Sequence, residues 1–262
     1  MSSQSQTNDY SRYFSLRQKV CLVNMSAGRN TQIYESLSGI VTSSDRDLLG
    51  LQIVHDGAFT LDEGSDQTTY KLTSEAMGNG IQVLADLIEI VSDNIYKFRM
   101  HDTLEMFQRR IAPRVEFPAN IFQLNGNFSL AVFKKKWKQV MDHLNSSGVL
   151  PGLVLKMTPI NLSAGGIGFT AEATIQVTPL SMFFIALDEG LPVCALAEIV
   201  WEQRTNEGLR CGFRFIHILK TDQERINRYI GNLQQKTGAT HPDYKRNWAL
   251  MDKMVADDPK SS

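Results

Sequence analysis

The sequence predicts a mainly β protein made of two β-rich domains, the second of which is closed by a helix. The chain has 262 residues, which is enough for two ordinary domains that each bury a core. About the first 100 residues contain short apolar runs separated by turn residues, and no helix of useful length. Helical spacing of apolar residues is clear in residues 131–144 and in a final segment that opens at Thr221.

The composition is that of a globular protein, with 42% hydrophobic and 21% charged residues. The formal net charge is −1, so the chain as a whole does not attract a long polyanion such as DNA, and any recognition of an anion must be local. No apolar run approaches the roughly 20 residues that cross a bilayer, and the N-terminus lacks the apolar segment of a signal peptide. We therefore expect a cytoplasmic protein without a transmembrane segment and without DNA as a partner.

The first domain is predicted over residues 15–106, after a Ser/Gln/Asn-rich N-terminal arm at 1–14 that we expect to be mobile. Its strands are predicted at residues 20–23, 34–41, 48–54, 71–73, 80–85, 87–91 and 95–100. Short β-rich runs at such close spacing indicate a small barrel or a sandwich.

The second half of the chain begins with an extended run at 115–124 and a helix at 131–144, for which Gly148 provides a stop. Further strands are predicted at residues 153–157, 173–177, 182–187, 193–201 and 209–216. The last helix has the spacing of a capping box at Thr221 and Glu224, and Gly238 is expected to end it. Residues 241–262 form a C-terminal tail.

The helix at 131–144 carries four lysines in its first half, Lys134, Lys135, Lys136 and Lys138. Trp137 and other apolar residues on its opposite face indicate an amphipathic helix. Two interpretations of the lysines stay open. They form an ordinary solvated face, or they form a docking face for an acidic partner or a membrane surface.

Two polar segments are candidates for binding an anion. Residues 108–114 place Arg109, Arg110 and Arg114 close together beside a proline, which prevents a regular helix. Residues 161–168 read as a loop of small polar residues and glycines, where a ligand can approach the backbone closely. Planar guanidinium groups beside such a loop suit a nucleotide. Alternatively, the arginines pair with surface carboxylates and the second segment is an ordinary turn.

The patterns that point to catalysis are weak, and we expect the chain not to be an enzyme. Residues 166–171 match a dinucleotide-binding fingerprint, but that motif requires a following helix, whereas residues 169–177 alternate like a strand. The five histidines are scattered, and Cys21, Cys194 and Cys211 fit neither a disulfide framework nor a zinc site. Each cysteine is expected to lie in a strand as a small hydrophobic residue.

Together the two polar segments resemble the signature of the PilZ domain, a family of bacterial receptors for cyclic di-GMP. The family pattern Arg-x-x-x-Arg falls on Arg110 and Arg114, and the pattern Asp/Asn-x-Ser-x-x-Gly falls on Asn161, Ser163 and Gly166. Residues 212–215 and the helix at Thr221 resemble the late strand and the closing helix of the family. The β-rich first domain resembles the N-terminal barrel of the two-domain flagellar-brake type.

This resemblance implies two small β-barrel domains in tandem, with a PilZ domain at 107–240 that carries a helical insertion at about 128–150. The sequence departs from the family in two places. Pro113 stands where these brakes commonly have an aromatic residue. About 46 residues separate Arg114 from Asn161, which is longer than the family usually allows.

The resemblance also implies a ligand, a set of binding residues and a mechanism. The ligand is cyclic di-GMP, with no other cofactor and no metal, and Arg109 helps to hold a second, intercalated molecule. The implied binding residues are Arg109, Arg110, Arg114, Asn161, Ser163, Gly165 and Gly166. The arginine segment is expected to fold over the nucleotide and change the orientation of the domains, which would regulate an effector such as the flagellar motor or a polysaccharide machine. The alternative is a PilZ-like interaction module that has lost nucleotide binding.

Overall fold

The computed structural model describes residues 9–25, 32–55, 68–76, 79–92, 94–107, 114–148, 152–171, 177–187, 190–206 and 208–237. Within these ranges the chain is mainly β, with two helices, and the predicted fold class is confirmed. No helix in the described residues is long and apolar enough to span a membrane.

The first half of the chain forms a closed antiparallel barrel. Its strands are β1 (Lys19–Asn24), β2 (Ile33–Asp45), β3 (Leu48–Ile53), β4 (Thr69–Ala76), β5 (Asn79–Ser92), β6 (Ile95–Met100) and β7 (Glu105–Phe107). Six of them pair in the order β1-β4-β5-β6-β3-β2, and the pairing of β2 with β1 closes the ring. Strand β7 adds to β5 outside this ring. Alternate residues point inward, so that Leu22, Leu51, Leu72 and Phe98 are fully buried.

The second half of the chain forms another closed barrel, which contains six strands and is accompanied by two helices. Its elements are β8 (Val115–Asn125), α1 (Leu130–Ser147), β9 (Lys156–Ser163), β10 (Gly166–Ala171), β11 (Leu180–Ala186), β12 (Val193–Thr205), β13 (Gly208–Leu219) and α2 (Lys220–Thr237). The strand order is β13-β10-β9-β8-β11-β12, closed by β12 with β13. Helix α2 covers the core of this barrel with Ile226 and Ile230, and the rings of Tyr229 and Phe117 lie 5.3 Å apart.

The two barrels are joined by hydrogen bonds between β2 and β13. The paired residues include Glu35 with His217 and Tyr34 with Ile218. Helix α1 packs across this junction. Its Trp137 is buried against β12, where the indole Nε1 donates to the carbonyl oxygen of Cys194 over 2.9 Å, and its Lys134 lies 3.2 Å from Glu35 of β2. The inserted helix therefore contacts both barrels.

The predicted helix is present as α1, which runs three residues beyond the predicted end at Leu144 and stops at Gly148 as predicted. The Ser129 side chain accepts a hydrogen bond from the backbone N–H of Val132, and Gly148 has the left-handed φ of 71° that ends the helix. Of its lysines, Lys135 and Lys138 are exposed, whereas Lys136 lies over the ring of Phe128. This arrangement fits a solvated face and leaves the docking interpretation untested.

Several expectations need correction. Residues 9–14 are not a mobile arm, because Tyr10, Tyr13 and Phe14 are buried in the core of the first barrel; three aromatic side chains outweigh a polar context. The two strands predicted at 80–85 and 87–91 are one strand, β5, with irregular pairing near Leu87. Residues 1–8, most of the strand predicted at 173–177, Gly238 and the tail at 241–262 lie outside the described residues. The cysteines are buried in strands as predicted, and burial raises the pKa of the Cys211 thiol to about 11.

Candidate functional site

The segment at 161–168 is a β-hairpin and not the loop that its composition indicated. Asn161 and Ser163 belong to β9, Gly166 opens β10, and a two-residue turn joins them. Ser163 pairs with Gly166 and Asn161 pairs with Gly168. Apolar residues alternate with the polar ones along this segment. This period of two favours strands, and it outweighed the preference of the small polar residues for a loop.

Contacts from two other elements fix the turn of this hairpin. The backbone N–H of Phe215 in β13 donates to the carbonyl oxygen of Gly165 over 2.9 Å. The side-chain amide of Gln223 in α2 donates to the carbonyl oxygen of Ala164 over 3.1 Å. The backbone around Gly165 is thus held in place, while Gly165 itself is exposed.

Pairing of β8 with β9 brings Arg114 to the hairpin. Val115 pairs with Leu162 and Glu116 pairs with Asn161, so the exposed Arg114 just before β8 lies at the end of the sheet where Ser163 lies. Arg114 and Asn161 are far apart in sequence, but the pairing of β8 with β9 places them at neighbouring strands. The intervening helix α1 packs elsewhere, against β11 and β12. Arg109 and Arg110 lie outside the described residues.

The side chains around Asn161 form a row that crosses five strands on the outer face of the barrel. In spatial order the row contains Glu116, Asn161, Gly168, Gly212 and Trp201. The amide of Asn161 donates to the Glu116 carboxylate over 3.1 Å. The indole of Trp201 is 43% exposed and covers Gly212, where a Cβ would lie closer than 3.0 Å to the ring. An amide and an aromatic ring therefore flank bare backbone.

A neighbouring row links the hairpin to the first barrel. Ser163 pairs with Gly166, Gly166 pairs with Arg214, and Arg214 pairs with Glu198. A Cβ on Gly166 would lie closer than 3.0 Å to the carbonyl oxygen of Phe213, so this position requires glycine. The row ends at the contact between the barrels.

Arg214 and Glu198 form a partly buried ionic network with the first barrel. The Arg214 guanidinium donates to Ser38 Oγ and to Glu198, Ser38 Oγ also donates to Glu198, and Nε2 of His55 lies 3.2 Å from Glu198 Oε2. Burial raises the pKa of the Glu198 carboxyl, but the hydrogen bond with His55, the charge of Arg214 and the Ser38 hydroxyl outweigh it and lower that pKa to about 2. Glu198 is therefore ionised in the folded protein at neutral pH.

A second ionic contact crosses the junction near α1. His217 Nδ1 lies 2.6 Å from Glu35 Oε1, and the same oxygen lies 3.2 Å from Lys134 Nζ. The hydrogen bond with His217 is the largest influence on Glu35, and despite partial burial the pKa of this carboxyl falls to about 2. The rings of His217 and Trp137 also pack in a T-shaped arrangement, with centroids 4.4 Å apart.

The first row, and the second row as far as Arg214, line a cleft of about 1700 Å³ between the two barrels. Outward-facing residues of β1 and β4 form part of the opposite wall, among them Lys19, Lys71 and Thr73. The described lining contains five basic residues, Lys19, Lys71, Arg114, Arg210 and Arg214, and two acidic ones, Glu75 and Glu116. The cleft is thus locally positive although the chain carries a net charge of −1, which matches the expectation of local anion recognition.

Of the residues predicted to bind the ligand, the structure brings five together: Arg114, Asn161, Ser163, Gly165 and Gly166 all line the cleft. Ser163 is only 6% exposed, and its hydroxyl lies 3.4 Å from the carbonyl oxygen of Gly166. Trp201, Arg210 and Arg214 also line the cleft and were not predicted as site residues. The strands that carry these three residues were predicted, but no local pattern in the sequence shows which distant strands they pair with.

The family of the second barrel follows from its sequence. Residues 108–232 match the family model of the PilZ domain. This part of the chain is a PilZ domain, and Arg110, Arg114, Asn161, Ser163 and Gly166 all lie within it. The resemblance stated from the motif is confirmed. No curated protein sequence matches the chain.

Several solved structures are similar to this chain at low sequence identity. The Bacillus subtilis inhibitor of motility MotI/DgrA is 13% identical, with 85% of this chain and 98% of that chain covered and a TM-score of 0.36. The complex of Escherichia coli YcgR with c-di-GMP is 15% identical, with 84% and 85% covered and a TM-score of 0.30. The complex of K. pneumonia MrkH with c-di-GMP is 14% identical, with 85% and 89% covered and a TM-score of 0.30.

The described residues contain no group of three or more His, Cys, Asp or Glu side chains that could hold a metal ion. Besides the carboxylates of Glu75 and Glu116, the polar side chains of the cleft are arginines, lysines, amides and hydroxyls, which recognise phosphate and base edges. The arrangement is therefore suited to binding an anion with planar rings.

Proposed function

We propose that the chain is a non-catalytic bacterial receptor that binds cyclic di-GMP in the cleft between the barrels and acts in the cytoplasm. One observation carries this proposal: the pairing of β8 with β9, and of β9 with β10, brings Arg114 of the first half of the PilZ motif to the same positively charged cleft as the second half. The solved YcgR and MrkH structures contain this nucleotide, which supports the choice of ligand.

The chemistry of the ligand matches the lining. Cyclic di-GMP carries two phosphodiester charges and two guanine rings. The forks of Arg110 and Arg114 pair with phosphate or with guanine O6 and N7 through two parallel hydrogen bonds, and they stack on the ring. Asn161 and Ser163 add short hydrogen-bonding groups, and backbone approach is open at Gly165, where a Cβ would meet no atom within 4 Å. Arg109 holds a second, intercalated nucleotide.

The proposed response is a change in the orientation of the barrels. Residues 108–114 connect β7 to β8, so an arginine segment that closes over the nucleotide acts directly on the junction. Reorientation must alter the pairing of β2 with β13 and the contact of Arg214 with Ser38. A ligand that binds one orientation better shifts the population toward it. The surface then presented regulates an effector, such as the flagellar motor or a polysaccharide machine.

The alternative function is a PilZ-like interaction module that acts without nucleotide. The exposed Lys135 and Lys138 of α1 favour this alternative, because the inserted helix presents a basic surface that the motif residues do not explain. The intact motif and the positive cleft favour the receptor.

Calorimetric titration of the wild-type chain with cyclic di-GMP tests the receptor proposal, with GMP as the control ligand. Saturable binding of cyclic di-GMP, much tighter than that of GMP, is the expected result. The absence of binding at millimolar nucleotide would reject the receptor and favour the interaction module.

A further inference from the structure

Gly168 lies at the centre of the row that crosses the cleft-facing surface of the second barrel. It pairs with Asn161 on one side and with Gly212 on the other. Neighbouring strands lie about 4.8 Å apart, so both flanking positions are within reach of a small planar group above Gly168. Gly168 itself is half-buried and lines the cleft.

The packing of the protein does not require a glycine at this position. A Cβ on Gly168 would come no closer than 3.4 Å to the carbonyl oxygen of Cys211 and 3.9 Å to Asn161, which is ordinary contact. Gly166 and Gly212 differ, because a Cβ at either would lie closer than 3.0 Å to another group. Gly168 is also not among the glycines with a positive φ.

A glycine inside a strand weakens it, because the residue loses more conformational entropy on folding and offers no side chain to pack. Gly168 therefore lowers the stability of β10 without a benefit to packing or backbone conformation. One physical reason for such a residue is the close approach of another molecule to the strand.

The two neighbours of Gly168 define what fits there. On the β9 side, Asn161 presents an amide whose Nδ2 donates to Glu116 and whose oxygen is an acceptor suited to the N–H groups of a base edge. On the β13 side, the half-exposed indole of Trp201 lies over Gly212. Bare backbone between a hydrogen-bonding amide and an aromatic wall matches the shape of a flat heterocycle.

We infer that Gly168 is a specificity-determining residue of the cleft: its missing side chain admits a guanine base onto the backbone of β10, between Asn161 and Trp201. This inference rests on the proposed binding of cyclic di-GMP. It adds which part of the ligand occupies this position, namely a guanine base, and which feature of the strand admits it, namely the missing side chain of Gly168.

The test compares Gly168→Ala and Gly168→Val with the wild type in two measurements, thermal unfolding and calorimetric titration with cyclic di-GMP. Both variants are expected to fold, with an unfolding temperature equal to or above that of the wild type, because valine favours strands. The affinity is expected to fall at least tenfold for valine and less for alanine.

The matched control is Gly231→Ala in α2, where a Cβ meets no atom within 4 Å and which is not part of the cleft lining. It should raise stability through helix propensity and leave the affinity unchanged. Wild-type affinity in Gly168→Val, or unfolding of both Gly168 variants, would overturn the inference alone. A wild-type chain that does not bind cyclic di-GMP would overturn the proposed function, and with it this inference.

Discussion

Gly166, the last residue of the Asn-x-Ser-x-x-Gly motif, is paired with Arg214 in β13. The guanidinium of Arg214 in turn donates to Ser38 of the first barrel and to Glu198. The last residue of the motif is thus paired directly with the arginine that forms the polar contact between the barrels. If cyclic di-GMP binds as proposed, a phosphate that attracts Arg214 would compete with Ser38 and Glu198 for the same guanidinium, and binding would then act on domain orientation.

The contact between Arg214 and Ser38 leads to a prediction about domain orientation. Small-angle scattering of the wild type should differ with and without cyclic di-GMP. Ser38→Ala removes one interdomain partner of Arg214, so its ligand-free profile should move toward the ligand-bound profile of the wild type. Ser36→Ala, which removes another buried hydroxyl from β2, serves as the control and should keep the wild-type profile. Identical wild-type profiles in both states would leave a receptor without this response.

The low pKa of Glu198 predicts an acid-dependent loss of stability. The pKa of this carboxyl is about 2 in the folded protein and 4.5 ordinarily, so it stabilises the fold fully above about pH 5 and loses that contribution as the pH falls toward 2. The contribution is on the order of 3 kcal/mol. Glu198→Gln should therefore lower the free energy of unfolding most at neutral pH, with the difference from the wild type narrowing toward pH 2. A difference independent of pH in urea titrations would contradict the ionised network.

The arginines of the motif are predicted to carry most of the affinity for the nucleotide. Arg110→Ala and Arg114→Ala each remove charge-assisted hydrogen bonds worth about 1.5–3 kcal/mol, which corresponds to a loss of roughly ten- to a hundredfold in affinity. Arg114→Lys keeps the charge but not the planar fork, so it should recover only part of the loss. Calorimetry is the measurement, and wild-type affinity in both alanine variants would remove these residues from the site.

Asn161 and Ser163 are predicted to differ in what their loss affects. Asn161 is half-buried beside the cleft, so Asn161→Ala should reduce affinity, less than the arginine variants do, and leave stability nearly unchanged. Ser163 is buried, so Ser163→Ala should lower both affinity and, by about 1 kcal/mol, the free energy of unfolding. If both variants change stability alone, the hairpin is only a structural turn.

Local patterns in the sequence predicted much of the fold. Alternation and turn residues located most strands, and the caps of α1 at Ser129 and Gly148 agree with its apolar spacing. Local patterns failed where the residue types and the alternation of apolar residues predicted different structures. Asn161, Ser163 and Gly166 are residue types that favour loops, yet they lie in the two paired strands of a hairpin. The burial of Tyr10 was not predicted, because the residues around it near the N-terminus are polar.

The candidate site was predictable only as far as its motif. Arg114, Asn161 and Ser163 were identified through the resemblance to the family motif, each half of which is continuous in the sequence. Trp201 and Arg214 reach the same surface only through the register of β12, β13 and β10, which depends on pairing between residues distant in sequence. The wall contributed by the first barrel required the arrangement of two barrels, which no local pattern encodes.

A crystal of the chain grown or soaked with cyclic di-GMP tests whether this nucleotide occupies the cleft between the barrels. Electron density for the nucleotide is expected between Arg114 and Asn161, with a guanine base over Gly168. A cleft without the nucleotide, in crystals that contain it at millimolar concentration, would overturn the proposed binding site.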